Sequence, residues 1–487
     1  MAEQKLTVLD LAERSAQKAP DGPAIVGPER TVRYSELLAA GRRMARALLK
    51  ESRGPVVALY FPMSAEFVIS YLAVLYAGKQ ALPLNLLLPP EELKYIVSDA
   101  GADVIVAPPS LCAKLAPLGP RVLDCSALAA AGVDDSAPLP RPAPDDVSTL
   151  LYTSGTTGKP KGVMLTHHNV ASNASDGIQG VGIDGSYRCL ACLPTFHTFS
   201  LTATVVGPLC VGASLVPLPR FDPEAVLRLS SALKCDTWMM VPSMYRLVTR
   251  MQERRPVDMK HLRIAIAGGE ALPADVRTQF GKVFGIPLLE GYGQTESSPV
   301  VSFNAPWANQ PGTVGRPIAN VSVRIVEPET LQDLPAGNTG EVWVKGPNVM
   351  KGYHDRPEET AKTITADGWL RTGDMGELAG EGYLRITGRL REMVKVAGEM
   401  VFPAEVESAL LAHPAVFEAG VVGVKDERKG EIVKGFVVLK PGAQATEEQL
   451  LQHCRSALAA YKVPRALEFR TELPKGPTGK VLRRLLK

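Results

Sequence analysis

Short, mostly apolar runs recur along this chain between segments of helical period, and that alternation restricts its fold more than any other feature. Residues 55–60 (Pro-Val-Val-Ala-Leu-Tyr) and 102–107 (Ala-Asp-Val-Ile-Val-Ala) are too short for buried helices and read as strands. Residues 34–49 place apolar side chains near a 3.6-residue spacing, and residues 65–76 read as a second helix. A later block repeats the pattern. Residues 235–241 and 264–267 are strand-like, and residues 245–252 and 273–284 are helix-like. Such alternation predicts a largely parallel sheet covered by helices.

The pattern changes twice downstream. From residue 312 to 345 it becomes short strands and turns, predicting a small β-rich subdomain. After Gly388-Arg389 it runs helix (403–411), strand (416–424), strand (432–439), helix (447–459), the order of a compact α+β domain. The predicted organisation is an N-terminal domain over 1–388, a hinge at 389–391 and a C-terminal domain over 392–487. With 487 residues there is room for about three domains or subdomains. Residues 127–144, rich in Ala, Pro and Asp, read as a surface connector. Residues 198–219 carry no charge, but Gly207, Pro208, Gly212, Pro217 and Pro219 interrupt them. Two short buried strands and a turn are expected there rather than a membrane helix.

Charge excludes several function classes. Lys and Arg number 54 against 51 Asp and Glu, so no strong field favours nucleic acid or an anionic surface. Seven scattered cysteines read as reduced thiols in a cytoplasmic protein. Cys189 and Cys192 have C-x-x-C spacing without a second pair, so they read as small buried thiols.

Four segments could carry chemistry. The first is Leu150-Leu-Tyr-Thr-Ser-Gly-Thr-Thr-Gly-Lys-Pro-Lys-Gly162. Its glycines let backbone approach an anion, its hydroxyls and N–H groups donate to phosphate oxygens, and Lys159 and Lys161 add positive charge. Pro160 after Gly158-Lys159 breaks the G-x-x-x-x-G-K-[ST] pattern, so a P-loop nucleotidase is disfavoured. The second is Glu290-Gly-Tyr-Gly-Gln-Thr-Glu-Ser297. A glycine-flanked Tyr292 can lie flat against a planar ring, and Thr295 with Glu296 supplies oxygen ligands of the kind Mg²⁺ accepts beside phosphate. The third is Arg371-Thr-Gly-Asp374 with Gly388-Arg389, where an Asp can accept from ribose hydroxyls. The fourth is the glycine-rich tail Pro474-Lys-Gly-Pro-Thr-Gly-Lys480. Taken singly, each also fits an ordinary solvated turn.

Together, and in this order, they resemble the adenylate-forming superfamily of acyl-CoA synthetases, adenylation domains and luciferases. The likeness covers essentially the whole chain and is greatest to bacterial fatty-acid–CoA ligases. Tyr292-Gly-Gln-Thr-Glu-Ser-Ser-Pro-Val-Val-Ser-Phe-Asn304, Pro311-Gly-Thr-Val-Gly-Arg316 and Lys345-Gly-Pro-Asn-Val-Met-Lys-Gly-Tyr353 carry it. The resemblance implies stacked αβαβα subdomains in the N-terminal domain and a C-terminal domain that moves about the hinge. It implies a two-step reaction: a fatty, medium- or long-chain carboxylate and ATP give an acyl-adenylate and pyrophosphate, and the thiol of CoA then displaces AMP.

The resemblance also implies roles at matching positions. Thr153, Ser154, Gly155, Thr156, Thr157, Gly158 and Lys159 would cradle the β- and γ-phosphates. Glu296 would hold Mg²⁺, with Thr295 near the α-phosphate. Gly269, Glu270 and Tyr292 would frame adenine, and Asp374 and Arg389 would bind ribose. Lys480 would bridge carboxylate and α-phosphate. His197, in Leu193-Pro-Thr-Phe-His-Thr-Phe199, would gate the acyl site. Arg391, where the family often has Asp or Lys, would be the hinge, and Lys395 with Gly398 would line the thiol channel. The Lys395-Val-Ala-Gly-Glu-Met-Val401 segment also resembles acyl-carrier-protein synthetases. The thiol acceptor therefore stays open, as do an aryl or branched acid, a catalytically silent binding protein and a luciferase-type oxygenase. Oligomeric state and peripheral membrane contact are not legible.

Overall fold

The computed structural model describes residues 5–153, 159–396, 399–426, 430–475 and 481–486. The chain divides into a large unit of residues 1–323 with 344–370, and a smaller unit of residues 324–343 with 371–487.

The large unit holds two sheets. In the nine-stranded sheet Leu288–Gly293, Ile264–Ala267, Thr237–Met240, Arg188–Ala191, Ser214–Pro217 and Pro23–Val26 lie side by side in that order. These neighbours pair in parallel. Val300–Phe303 and Arg316–Pro317 extend it antiparallel at one edge, and Thr31–Arg33 at the other. In the seven-stranded sheet Val147–Thr153, Gln80–Pro83, Val56–Leu59, Val104–Ala107 and Arg121–Asp124 are parallel neighbours. Lys161–Thr166 and Gly352–Tyr353 close one edge antiparallel. The central strands are buried along their whole length, as a helix-covered parallel sheet requires.

Local chemistry sets where the helices begin. In the helix His167–Gly180, Thr166 Oγ1 accepts from the Asn169 backbone N–H at 3.0 Å while Asn169 Oδ1 accepts from Thr166 N–H at 2.9 Å. That reciprocal cap starts the helix directly behind the strand Lys161–Thr166.

Residues 198–219 depart from the expected two strands and a turn. Phe199–Val206 is a wide π-type helix, Gly207–Val211 an α-helical turn, and only Ser214–Pro217 is a strand. An apolar run buried on all sides carries no period, so pattern alone cannot separate strand from helix. Pro208 stands where Phe199–Val206 passes directly into Gly207–Val211. Among the described residues no helix is long and apolar enough to cross a membrane. All seven cysteines are free, and burial pushes the Cys192 and Cys235 thiols up to about 12.

Most of a four-stranded sheet lies in the small unit, in the order Ser322–Val326, Gly340–Lys345, Leu370–Leu378, Leu384–Arg389, the last two pairing antiparallel. A second sheet is built on the long hairpin Val416–Asp426 with Gly430–Leu439, against which the helices Pro403–Leu411 and Glu447–Ala457 pack.

Candidate active site

Parallel strands deliver their loops to one edge, and ligands of such sheets bind beyond the carboxyl ends. His197 follows Arg188–Ala191, Gly269 and Glu270 follow Ile264–Ala267, and Thr295 and Glu296 follow Leu288–Gly293. The glycine- and threonine-rich segment follows Val147–Thr153 in the other sheet.

Of that segment the structure describes the stems. Ser154, Gly155, Thr156, Thr157 and Gly158 lie outside the described residues, as do Gly398 and Lys480. Thr153 pairs with Lys161 and Tyr152 with Gly162. A Cβ at Gly162 would lie 3.0–3.1 Å from the Leu150 and Tyr152 side chains, so glycine keeps the stems close. Asp99 anchors this base. It accepts from the Tyr152 hydroxyl at 2.7 Å, from the Tyr95 hydroxyl at 3.2 Å and from the Arg356 guanidinium at 2.9 Å. The Lys159 ammonium lies 5.6 Å from the centre of the Tyr95 ring. Lys161, read from sequence as added charge for an anion, is already engaged: it pairs with Glu359 and lies 5.5 Å from the Tyr353 ring centre.

The segment from Glu290 to Ser297 is held by backbone and amide groups. A Cβ at Gly293 would fall 1.9 Å from the Pro299 carbonyl oxygen, and one at Gly291 would touch the Phe303 Cβ at 3.4 Å. Tyr292 is half-buried between them. Thr295–Ser297 forms one 3-10 turn. Asn173 grips both polar groups of Val300, accepting from its N–H at 3.0 Å and donating to its carbonyl at 2.7 Å. Asn348 donates to the Ser297 carbonyl at 3.0 Å, and the Met350 N–H donates to the Glu296 carbonyl at 2.9 Å. Asn169, Asn173 and Gly180 recur at helical spacing on one face of His167–Gly180. A Cβ at Gly180 would come within 2.6 Å of the Phe303 ring, so that face carries hydrogen-bonding amides and a gap for an aromatic ring.

The Glu296 carboxylate is half-buried and accepts from the Tyr353 hydroxyl at 2.9 Å. Among the described residues no group of three or more His, Cys, Asp or Glu could enclose a metal. A single carboxylate held by a phenol does fit Mg²⁺, which is usually bound by one or two carboxylates plus substrate phosphates.

Glu290 is different. Its carboxyl accepts from the Leu272 N–H at 2.9 Å, and burial pushes its pKa up to about 7 against the pull of that bond and of Arg277. Gly269 adopts the left-handed region at φ +82, turning the chain between Ile264–Ala267 and Leu272.

His197 reaches solvent at the loop tip, yet crowding protein holds its pKa below the ordinary imidazole value. Its Nδ1 accepts from the Phe199 N–H at 3.3 Å, which puts a neutral ring's proton on Nε2. The Phe199 ring would lie 3.2 Å from a Cβ at Gly268. Phe199, Phe303 and Met239 belong to one apolar cluster, whereas Trp238 and Met240 alternate onto the opposite face with Tyr245 and Phe280. Of the run 238–244, Trp238 is thus core: its indole N–H donates to Ser230 Oγ at 2.9 Å.

In the small unit, Asp374 and Arg389 are directly opposed cross-strand partners. Arg389 Nε lies 3.0 Å from Asp374 Oδ1, and Asp374 is only 4% exposed. Gly373, at φ +68, donates its N–H to Glu341 Oε1 at 3.2 Å, and Thr372 Oγ1 accepts from the Asp374 N–H at 3.1 Å. Arg391 sits exposed in the 3-10 turn Leu390–Glu392. Lys395 Nζ pairs with Glu329 at 3.0 Å, and its backbone N–H donates to Glu431 at 2.8 Å.

Sequence reading gave no role to Asp99, Asn173, Asn348 or Tyr353. Tyr353 stood in a quoted motif, but its partner lies 57 positions away.

Comparison with known proteins gives a consistent picture. The family model described as AMP-binding enzyme matches residues 12–354, and that of the AMP-binding enzyme C-terminal domain matches residues 405–480. A long-chain-fatty-acid–CoA ligase of Bacillus subtilis (strain 168) is 35% identical over 99% of this chain and 94% of its own. A feruloyl-CoA synthase of an Amycolatopsis species is 34% identical over 96% of each chain. The ATP-bound crystal structure of MatB from Rhodopseudomonas palustris superposes with a TM-score of 0.90 at 33% identity, covering 99% of this chain and 98% of that one.

Proposed function

Because this chain belongs to the AMP-binding enzyme family and is an AMP-forming acid–CoA ligase, we propose that it activates a medium- or long-chain fatty acid with ATP and passes the acyl group to CoA. In the first step a carboxylate oxygen attacks the α-phosphorus and pyrophosphate leaves. In the second the CoA thiol attacks the acyl carbon and AMP leaves. Both reactants of the first step are anions, so the protein's task is to position them and place positive charge.

One observation carries this reading: a single hydrogen-bonded stretch, residues 350–356, reaches both Glu296 and the stems of the phosphate segment. On this reading Thr153–Lys159 takes the β- and γ-phosphates. Glu296 is the residue that would hold Mg²⁺, which when bound offsets phosphate charge, and Thr295 lies near the α-phosphate. Gly269, Glu270 and Tyr292 frame adenine, and Asp374 with Arg389 takes ribose. His197 gates the acyl site. Lys480 serves the first step, and a turn about Arg391 brings Lys395 and Gly398 to the second.

An aryl acid is the second reading. Phe199 and Phe303 stand beside Gly268 and Gly291 near the carboxyl ends of the strands, and flat walls of that kind suit a ring. A pyrophosphate-release assay over fatty and aryl acids, with the thioester identified by mass on CoA or a carrier protein, tests both. Fatty acyl-CoA is the expected product. Turnover with aryl acids alone selects the second reading, and product only on carrier protein replaces the acceptor. Lys480→Ala should slow adenylation about 10²–10³-fold while sparing thiolysis of supplied acyl-adenylate; adenylate formation at the parent rate removes Lys480 from the first step.

A further inference from the structure

We infer that Tyr353 is a positioning residue: its phenol fixes the Glu296 carboxylate by occupying Oε1 and leaving Oε2 to face a cation, in register with the strands Val147–Thr153 and Lys161–Thr166. The inference rests on the reading that Glu296 holds the divalent ion.

Tyr353 is fixed from several sides. The two-residue strand Gly352–Tyr353 pairs antiparallel with Lys161–Thr166, Tyr353 against Val163 and Gly352 against Met164. Flanking bonds lengthen that grip: Lys351 N–H donates to the Met164 carbonyl at 3.0 Å and His354 N–H to the Gly162 carbonyl at 2.8 Å. The Tyr353 N–H donates to Thr360 Oγ1 at 2.9 Å. Gly352 stands at φ +143, and a Cβ there would lie 2.8 Å from Thr360 Cγ2, so that turn is built around glycine. Just before it, Met350 N–H holds the Glu296 carbonyl; just after it, Arg356 holds Asp99, which also holds Tyr152. One stretch of backbone therefore spaces the acid from the stems, and the phenol sets the direction of the carboxylate.

The surrounding charges agree. Lys161, close enough to Glu296 to feel its charge, is drawn to Glu359 and to the Tyr353 ring. A lysine so engaged leaves Glu296 as an acceptor for a cation. The phenol donates to Oε1 at 2.9 Å.

The test is Mn²⁺ binding, followed by electron paramagnetic resonance, to the full chain saturated with a non-hydrolysable ATP mimic. Glu296→Gln should weaken Mn²⁺ binding at least about tenfold, and Tyr353→Phe about three- to tenfold, the range for the net loss of one ordinary hydrogen bond. Added to Glu296→Gln, Tyr353→Phe should cost nothing more, since its effect runs through that carboxylate. Glu296→Asp keeps the charge but withdraws it from the phenol, and should lose affinity as Tyr353→Phe does. Unchanged binding in Glu296→Gln overturns the cation-ligand reading itself. Weakened binding there with unchanged binding in Tyr353→Phe or in Glu296→Asp overturns the positioning role alone. A Tyr353→Phe loss that persists in the Glu296→Gln background overturns it too, because the phenol would then act elsewhere.

Discussion

Glu290 and Glu296 open and nearly close the same short segment, yet their surroundings oppose each other. Glu290 accepts from a backbone N–H, and burial lifts its pKa to about 7 against that bond and the nearby Arg277. Glu296 faces a phenol and lies within the influence of Lys161. The first setting favours a carboxyl that can be neutral and hydrogen-bond to an uncharged partner; the second turns a side-chain oxygen towards a hydroxyl donor. The contrast shows how one short segment can hold two acidic side chains in opposite settings, one buried and the other facing a hydroxyl donor.

The largest expected effect tests the charged end. Glu296→Gln should lower the adenylation rate about 10²–10³-fold with the fold intact, measured by pyrophosphate release at saturating acid. A rate within threefold of the parent would make the two glutamates equivalent and dissolve the contrast.

The buried end is tested through pH. Glu290 binds its proton more tightly in the folded chain than in the unfolded one, where the ordinary value is 4.5. Stability is therefore fully present below that value and falls as pH rises towards about 7. Glu290→Gln cannot ionise and should escape the loss. Denaturant midpoints at pH 5 and pH 8 should show the parent losing about 2–3 kcal/mol more than the variant. Parallel pH profiles would place Glu290 in a solvated setting after all.

A smaller effect is expected behind the loop. Asn173→Ala strips both hydrogen bonds from Val300 and should cost about 1–2 kcal/mol, seen as a melting temperature lower by a few degrees. An unchanged melting curve would mean that the strand Val300–Phe303 needs no clamp.

What could be read from sequence follows from how local each signal is. The helices Ala65–Tyr76 and Pro403–Leu411 and the strand Ile264–Ala267 announce themselves in their own residues, and stand where the pattern puts them. Thr153, Glu296 and Asp374 could be singled out as candidates because their motifs are contiguous. Phe199–Val206 was misjudged because uniform burial erases period. Asn173 and Tyr353 stayed hidden for another reason: their partners are 127 and 57 positions away, and Asp99, though Tyr95 is near it in sequence, ties Tyr152 to Arg356 across 53 and 257 positions.

The contact between Gly293 and Pro299 bears on how relatives of this enzyme diverge. No side chain fits at 293 without moving a neighbouring main chain, so that wall offers evolution nothing to edit. Change is open instead on surfaces where side chains already meet, such as those of Phe199 and Phe303, because there one side chain can give way to another.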